Sequence, residues 1–490
     1  MNRSILRLFS VVVLMFALLI VWASRWTVFS ASALDHNRLN QLGFYASLKV
    51  RRGEILADNG AVLARSVKAA NGTWRSVYPQ GSLFAQAVGY YNPQENQIAG
   101  IEETRNRALT GLQSRQASLF GSFNGTPQVG DSVYTTLDPK GQALARKLLA
   151  GRVGAVVAIV PQTGAVKVMY SNPTYNDNNL AAPCPANVAH VGCQFNLATQ
   201  GGLPPGSTFK LVVTAAALNS GKLTPNSTFA GPSPLLVDGI PLHNDGNVSY
   251  PPGTTLTTAL TDSIDTIYAQ VGLRVGAPTL EEYMKRFGFY SVPPMDYPAA
   301  QMRPSGEFYN GSFVPITNPN MDVGRSSIGQ GDLEVTPLQM AMVVAAIANN
   351  GKLMEPRLTS RVVNSDGETV ETIKPQEYDQ VMRPQIAQEE TQMMRHVVES
   401  GTGTLANIPG LNLVGKTGSA SLGACVTGVR VNNVCPGGET YDDAWFVSFS
   451  QSDPKIAVAV ELSDIPGGYG GTYAAPIAAE MIKTLLAEGQ

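Results

Sequence analysis

Ser207 and Lys210, in the stretch GGLPPGSTFKLVVTAAAL, have the types and the spacing for covalent chemistry. Pro204, Pro205 and Gly206 are turn residues, and the long apolar run after them has no polar face, so the sequence predicts a buried helix starting at Ser207. Side chains at i and i+3 share a helix face, which puts the Lys210 amine one turn above the Ser207 hydroxyl and within reach of it. A serine hydroxyl is a poor nucleophile near neutral pH. A lysine whose burial disfavours the charged form can take its proton, and the amide N–H groups of a helix start face developing negative charge. The same residues also suit an ordinary helix cap with a lysine reaching out to water. A second Ser-x-x-Lys, Ser452 to Lys455, lies in a polar turn between two predicted strands and is read as a turn only.

Two further groups follow in chain order: Ser263-Ile264-Asp265 and Lys416-Thr417-Gly418-Ser419. The second falls inside a predicted strand, where a glycine suits the close approach of a ligand or another backbone. Taken together the three resemble the signatures of the penicillin-binding and serine β-lactamase superfamily, S-x-x-K, S-x-N and K-T-G. Within it the chain resembles the class B penicillin-binding proteins, and among these the actinobacterial penicillin-binding protein A group. RRGEILADNG resembles that family's R-G-x-I-x-D-R-N-G at Arg52, Gly53, Ile55, Asn59 and Gly60, and SIGQGDLEVTPLQMA, AWFVSFS and GGYGGTYAAPIA resemble its transpeptidase domain. The resemblance runs almost end to end.

The resemblance implies a D,D-transpeptidase that attacks the D-Ala-D-Ala amide of a peptidoglycan stem peptide, releases D-alanine and passes the acyl group to a neighbouring amine, with β-lactams stalling it as an acyl-enzyme. Ser207 would be the nucleophile, Lys210 its base, Ser263 the proton relay and Lys416 the group that orients it. Thr417, Gly418 and Ser419 would bind the substrate, with the two hydroxyls on its carboxylate, and the backbone N–H groups of Ser207 and Ser419 would form the oxyanion hole. Asp265 stands where the family usually has asparagine, and a carboxylate beside Lys210 favours the ammonium form and weakens it as a base. Either Asp265 points elsewhere or the two share a proton. Ala57 and Asp58 also depart from the N-terminal signature.

Three other readings share part of this pattern. A β-lactamase uses the same acylation but needs neither an anchor nor an extra N-terminal domain. A β-lactam sensor would carry a cytoplasmic signalling domain, for which there are only a few residues, and a catalytically weak divisome scaffold would keep the motifs without turnover. About a hundred residues before the second domain leave no room for a glycosyltransferase, so glycan polymerisation is expected from a membrane partner, with divisome proteins as further partners.

These residues have to be placed by the rest of the chain. Arg3 and Arg7 precede an apolar run from Leu8 to Ala23, which reads as a single transmembrane anchor in the cytoplasmic membrane with the bulk of the chain outside. Cleavage after Ala31-Ser32-Ala33 is disfavoured because Arg25 and Trp26 intervene. The expected organisation is residues 1–30 as tail and anchor, 31–130 as a small mixed pedestal or dimerisation-type domain, and 131–490 as the transpeptidase domain. VYTTL leads into Asp138 as an N-cap and Pro139 at the first helical position, and GAVVAIVPQTGAVKVMYS reads as a hairpin. The region from Ser207 to about Ile347 reads as helical, with strands returning only at LNLVGKTGSAS, DAWFVSFS and KIAVAVELSD before a closing helix. That is an α+β fold, an antiparallel sheet flanked by helices.

The four cysteines form two local pairs, Cys184 with Cys193 and Cys425 with Cys435, and an even count outside the membrane suggests two disulfides. Cys184, His190 and Cys193 are the right types for zinc, but a fourth ligand is missing, so no metal and no cofactor are expected. The four histidines form no metal-ligand motif, and no G-x-S-x-G elbow accompanies them. With 35 basic and 37 acidic residues there is no basic stripe for nucleic acid.

Overall fold

Binary patterning and turn chemistry build the sheet that carries the site. The computed structural model describes residues 3–25, 48–111, 129–185, 192–425 and 440–488, the side chains of 423–425 and 488 excepted. Helix α1, Arg3–Ser24, is long and apolar enough to cross a membrane, and none of its residues is buried. In the N-terminal region come strands β1 (Ile55–Leu56), β2 (Val62–Lys68) and β3 (Trp74–Val77), then β4 (Ser132–Thr135). Asp138 caps helix α2, Pro139–Leu148, by accepting from the Gly141 N–H, with Pro139 at the first helical position. β5 (Gly154–Val160) and β6 (Ala165–Asn172) form the hairpin that the sequence predicts.

The Ser207 turn, Gly206–Phe209, runs into helix α3, Lys210–Asn219, which is buried from Lys210 to Leu218. Helices α4 (Leu256–Thr261) and α5 (Asp265–Val275) are separated only by Asp262, Ser263 and Ile264. Thr336 caps α6, Pro337–Ala348, and every residue of α6 is buried, as expected of a helix apolar all round. Strands β7 (Thr359–Val363) and β8 (Thr369–Thr372) precede helix α7, Pro384–Glu399. The chain then forms β9 (Leu413–Cys425), β10 (Thr440–Ser450) and β11 (Ala457–Pro466) and ends in α8, Ala475–Glu488.

Two sheets organise these elements. The central one has the order β9-β10-β11-β5-β6 and is antiparallel throughout. Helices α2 and α8 pack on its β6, β10 and β11 strands, and α6 packs on β5, β10 and β11. All of β5 except Val160 is buried, so both faces of the sheet are covered. The second sheet has the order β8-β7-β4-β1-β2-β3 and takes strands from three distant parts of the chain, with β4 parallel to β1 and antiparallel to β7.

The region after Ser207 differs from the expectation that strands return only near the C-terminus. Besides β7 and β8 it holds small antiparallel pairs, Thr228–Gly231 with Tyr250–Thr255 and Leu235–Val237 with Ile240–Leu242 among them. These runs are too short and too rich in Pro and Gly to show a period of two. In the N-terminal region the signature residue Arg52 is 5% exposed and ion-paired with Glu102, donates to Asn106 Oδ1 at 2.6 Å and lies 4.1 Å from the Tyr91 ring. That part of the motif is a buried structural pair. Cys184 and Cys193 form a disulfide. Cys435 and the Cys425 side chain lie outside the described residues, as does His190.

Candidate active site

The Ser207 turn is held against strand β9 by glycine. Gly206 takes φ +52°, and a Cβ there would stand 2.8 Å from the Ser419 carbonyl oxygen and 3.0 Å from its amide nitrogen. On the facing strand, a Cβ at Gly418 would stand 2.6 Å from the Pro205 carbonyl oxygen. The Ser207 and Ser419 segments, which carry the two expected oxyanion donors, therefore touch through bare backbone. The Gly206 N–H donates to the Gly329 carbonyl at 2.9 Å, so the SIGQG stretch supports the turn from the other side.

Lys210 is fully buried, and its three ammonium protons have three acceptors: Asp265 Oδ1 at 2.6 Å, the Ser263 carbonyl at 2.7 Å and Ser263 Oγ at 3.2 Å. Among the described residues it makes no hydrogen bond to Ser207. The i, i+3 expectation put its amine on the Ser207 hydroxyl. Instead a carboxylate and a carbonyl, stronger acceptors than a neutral hydroxyl, draw it across to the α4–α5 turn. The Tyr268 ring lies 5.2 Å from Nζ, and the Tyr268 hydroxyl lies 2.8 Å from Thr214 Oγ1, which donates to the Lys210 carbonyl. Burial pulls the Lys210 amine below its ordinary range, while Asp265 opposes that by charge and hydrogen bond.

Ser263 adopts φ +59°, a left-handed conformation unfavourable for a residue with a Cβ. In that turn both its carbonyl and its hydroxyl reach Lys210. Lys416, also fully buried, donates to Ser263 Oγ at 2.9 Å, to the Thr417 carbonyl at 3.0 Å and to Thr417 Oγ1 at 3.3 Å. Burial, reinforced by the charge of Lys210, holds its amine well below the ordinary range. Ser263 Oγ thus has a lysine at each lone pair, and its own proton is free for a third group.

Thr417 is buried and Ser419 half-buried on the same strand. Thr417 Oγ1 lies 2.6 Å from Thr402 Oγ1, and Ser419 Oγ accepts from the Gly470 N–H at 3.1 Å. The structure therefore brings Ser207, Lys210, Ser263, Asp265, Lys416, Thr417, Gly418 and Ser419 to one place. The other Ser-x-x-Lys stays apart: Lys455 is exposed and paired with Asp453 in the β10–β11 turn. Tyr268, Gly329, Thr402 and Gly470 also support the site. Gly329 and Gly470 fall in quoted family stretches, whereas Thr402 sits in a Gly- and Thr-rich turn with no periodic signal. Among the described residues no group of His, Cys, Asp and Glu is arranged to hold a metal.

Comparison with known proteins identifies the family. Residues 154–483 match the penicillin binding protein transpeptidase domain, and residues 52–133 match the penicillin binding protein A dimerisation domain. The chain is 32% identical to the peptidoglycan D,D-transpeptidase PbpA of Mycolicibacterium smegmatis over the full length of both. It is 29% identical to the peptidoglycan D,D-transpeptidase MrdA of Haemophilus influenzae, over 80% of this chain and 61% of that one. The penicillin G acyl-enzyme complex of penicillin-binding protein A from M. tuberculosis superposes with a TM-score of 0.75 at 29% identity, covering 89% of this chain and 99% of that one. Sequence, fold and the converging side chains agree, and the chain belongs to the penicillin-binding protein transpeptidase family, in its class B branch.

Proposed function

We propose that this protein is a D,D-transpeptidase of cell wall synthesis, and that it cross-links peptidoglycan stem peptides through an acyl-enzyme on Ser207. The observation that carries this reading is the convergence of two buried lysines on one serine hydroxyl, Ser263, beside the Ser207 turn. Ser207 Oγ attacks the carbonyl between the two D-alanines. Its proton passes to the neutral fraction of Lys210 and through Ser263 to the departing amine. Lys416 orients Ser263, Thr417 and Ser419 hold the terminal carboxylate, and the Ser207 and Ser419 N–H groups receive the oxyanion. An acceptor amine then attacks the ester, restoring Ser207. β-Lactams take the donor's place and leave a stable adduct.

Residues 1–30 would serve as tail and anchor, with the body on the outer face of the cytoplasmic membrane. Residues 31–130 would be a pedestal for docking and dimerisation, and 131–490 the catalytic domain. Partners would be a membrane glycosyltransferase and division proteins. The test is incubation of the full chain in detergent with a D-Ala-D-Ala donor and a stem-peptide amine acceptor, read by mass. Cross-linked product with released D-alanine, both lost in Ser207→Ala, is the expected result. Hydrolysed donor alone would make the protein a carboxypeptidase, and no turnover would make it a scaffold.

A further inference from the structure

Thr402 lies in the turn after α7 and is pinned there. Its N–H donates to the Thr261 carbonyl at the end of α4, and the Gly471 segment packs so closely that a Cβ there would stand 2.1 Å from the Thr402 carbonyl oxygen. From this fixed backbone its hydroxyl comes within 2.6 Å of Thr417 Oγ1, its one hydrogen-bond partner among the described residues.

A hydroxyl oxygen accepts two hydrogen bonds and donates one. Thr417 Oγ1 already accepts from Lys416 Nζ at 3.3 Å. If Thr402 donates, both acceptor positions of Thr417 are filled and its single proton is left for a third partner, such as a bound carboxylate. If Thr402 accepts, that proton is tied up and Thr417 offers an anion nothing. An anion in the cleft selects the first arrangement. Ser419 repeats the same logic: its Oγ accepts from the Gly470 N–H, which leaves its own proton for the cleft.

We propose that Thr402 is a positioning residue for the donor's terminal carboxylate, acting through Thr417 by fixing that hydroxyl as a donor and polarising it. The inference rests on the transpeptidase reading, in which Thr417 and Ser419 hold the carboxylate. It extends the carboxylate subsite to a residue outside the strand that forms it.

The test compares acylation of the full chain in detergent by penicillin G and by its C3 carboxamide, a neutral and nearly isosteric probe. Wild type should acylate faster with the carboxylate. Thr402→Val, which keeps the shape and loses the hydroxyl, should lower the penicillin G rate constant about tenfold while leaving the carboxamide rate within about twofold. Thr402→Ser should restore the preference. The carboxamide rate also reports that the Ser207 centre is intact in each variant. An equal loss on both probes, or no loss on either, overturns the role assigned to Thr402. A wild type with no preference between the probes instead removes the carboxylate reading of Thr417 and Ser419, and this inference with it.

Discussion

Asp265 Oδ1 lies 2.6 Å from Lys210 Nζ, and that pair occupies the place where the sequence suggested a Lys210–Ser207 contact. Burial lowers the Lys210 pKa and Asp265 raises it, so the carboxylate holds part of the lysine population in the ammonium form that cannot act as a base. Asp265→Asn removes the opposing influence. The acid limb of the acylation profile then moves to lower pH, measured as the rate of penicillin G acylation across pH 5 to 9. A limb that stays in place or moves up would mean that Asp265 does not hold the ammonium.

Ser263 combines a hydroxyl between two lysines with φ +59°. Glycine relieves that conformation and deletes the hydroxyl, so Ser263→Gly should be about 1 kcal/mol more stable than Ser263→Ala, while both slow acylation by roughly 10²-fold or more. Ser263→Ala keeps the backbone cost and should show the rate loss without the gain. Thermal unfolding and acylation rates on both variants check the split, and a Gly variant less stable than Ala would contradict it.

The seam between the N-terminal region and the central domain carries a buried acid. Asp177 is 7% exposed, and its Oδ1 has no hydrogen-bond partner among the described residues. Burial pushes its carboxyl up to about 8, with Glu102 adding to the shift. Beside it, the Asn178 side-chain amide exchanges hydrogen bonds with the Tyr78 N–H at 3.0 Å and the Tyr78 carbonyl at 2.8 Å. The unfolded chain releases the Asp177 proton in the ordinary aspartate range, whereas the folded chain keeps it to about pH 8. Its contribution is therefore complete at low pH and lost as pH rises through that window. Asp177→Asn should unfold at a higher temperature than wild type near pH 9, and that difference should shrink steadily as pH falls toward 4. Parallel melting curves for the two would refute this.

The β5–β6 hairpin, the Asp138 cap, the Thr336 start of α6 and the K-T-G strand were all legible, because each rests on local chemistry: a β-turn, a cap or a period of two. The residues of the site were legible as motifs in order. Their contacts were not. Whether Lys210 turns to Ser207 or Asp265 depends on where α5 packs, more than fifty residues on. Thr402 meets Thr417 only because the turn after α7 folds back beside β9. Likewise the second sheet draws β7 from beyond residue 350 to pair with β4, with β8 outside it, a long-range register that no local pattern carries.

The central claim is that Ser207 is the acylated nucleophile. The most direct measurement is intact mass of the full chain after incubation with penicillin G, followed over time beside Ser207→Ala. One persistent penicillin adduct per wild-type chain, absent from the variant, is the predicted result. An adduct that survives Ser207→Ala would contradict it, and one that forms and is hydrolysed within seconds would contradict the transpeptidase reading built on it.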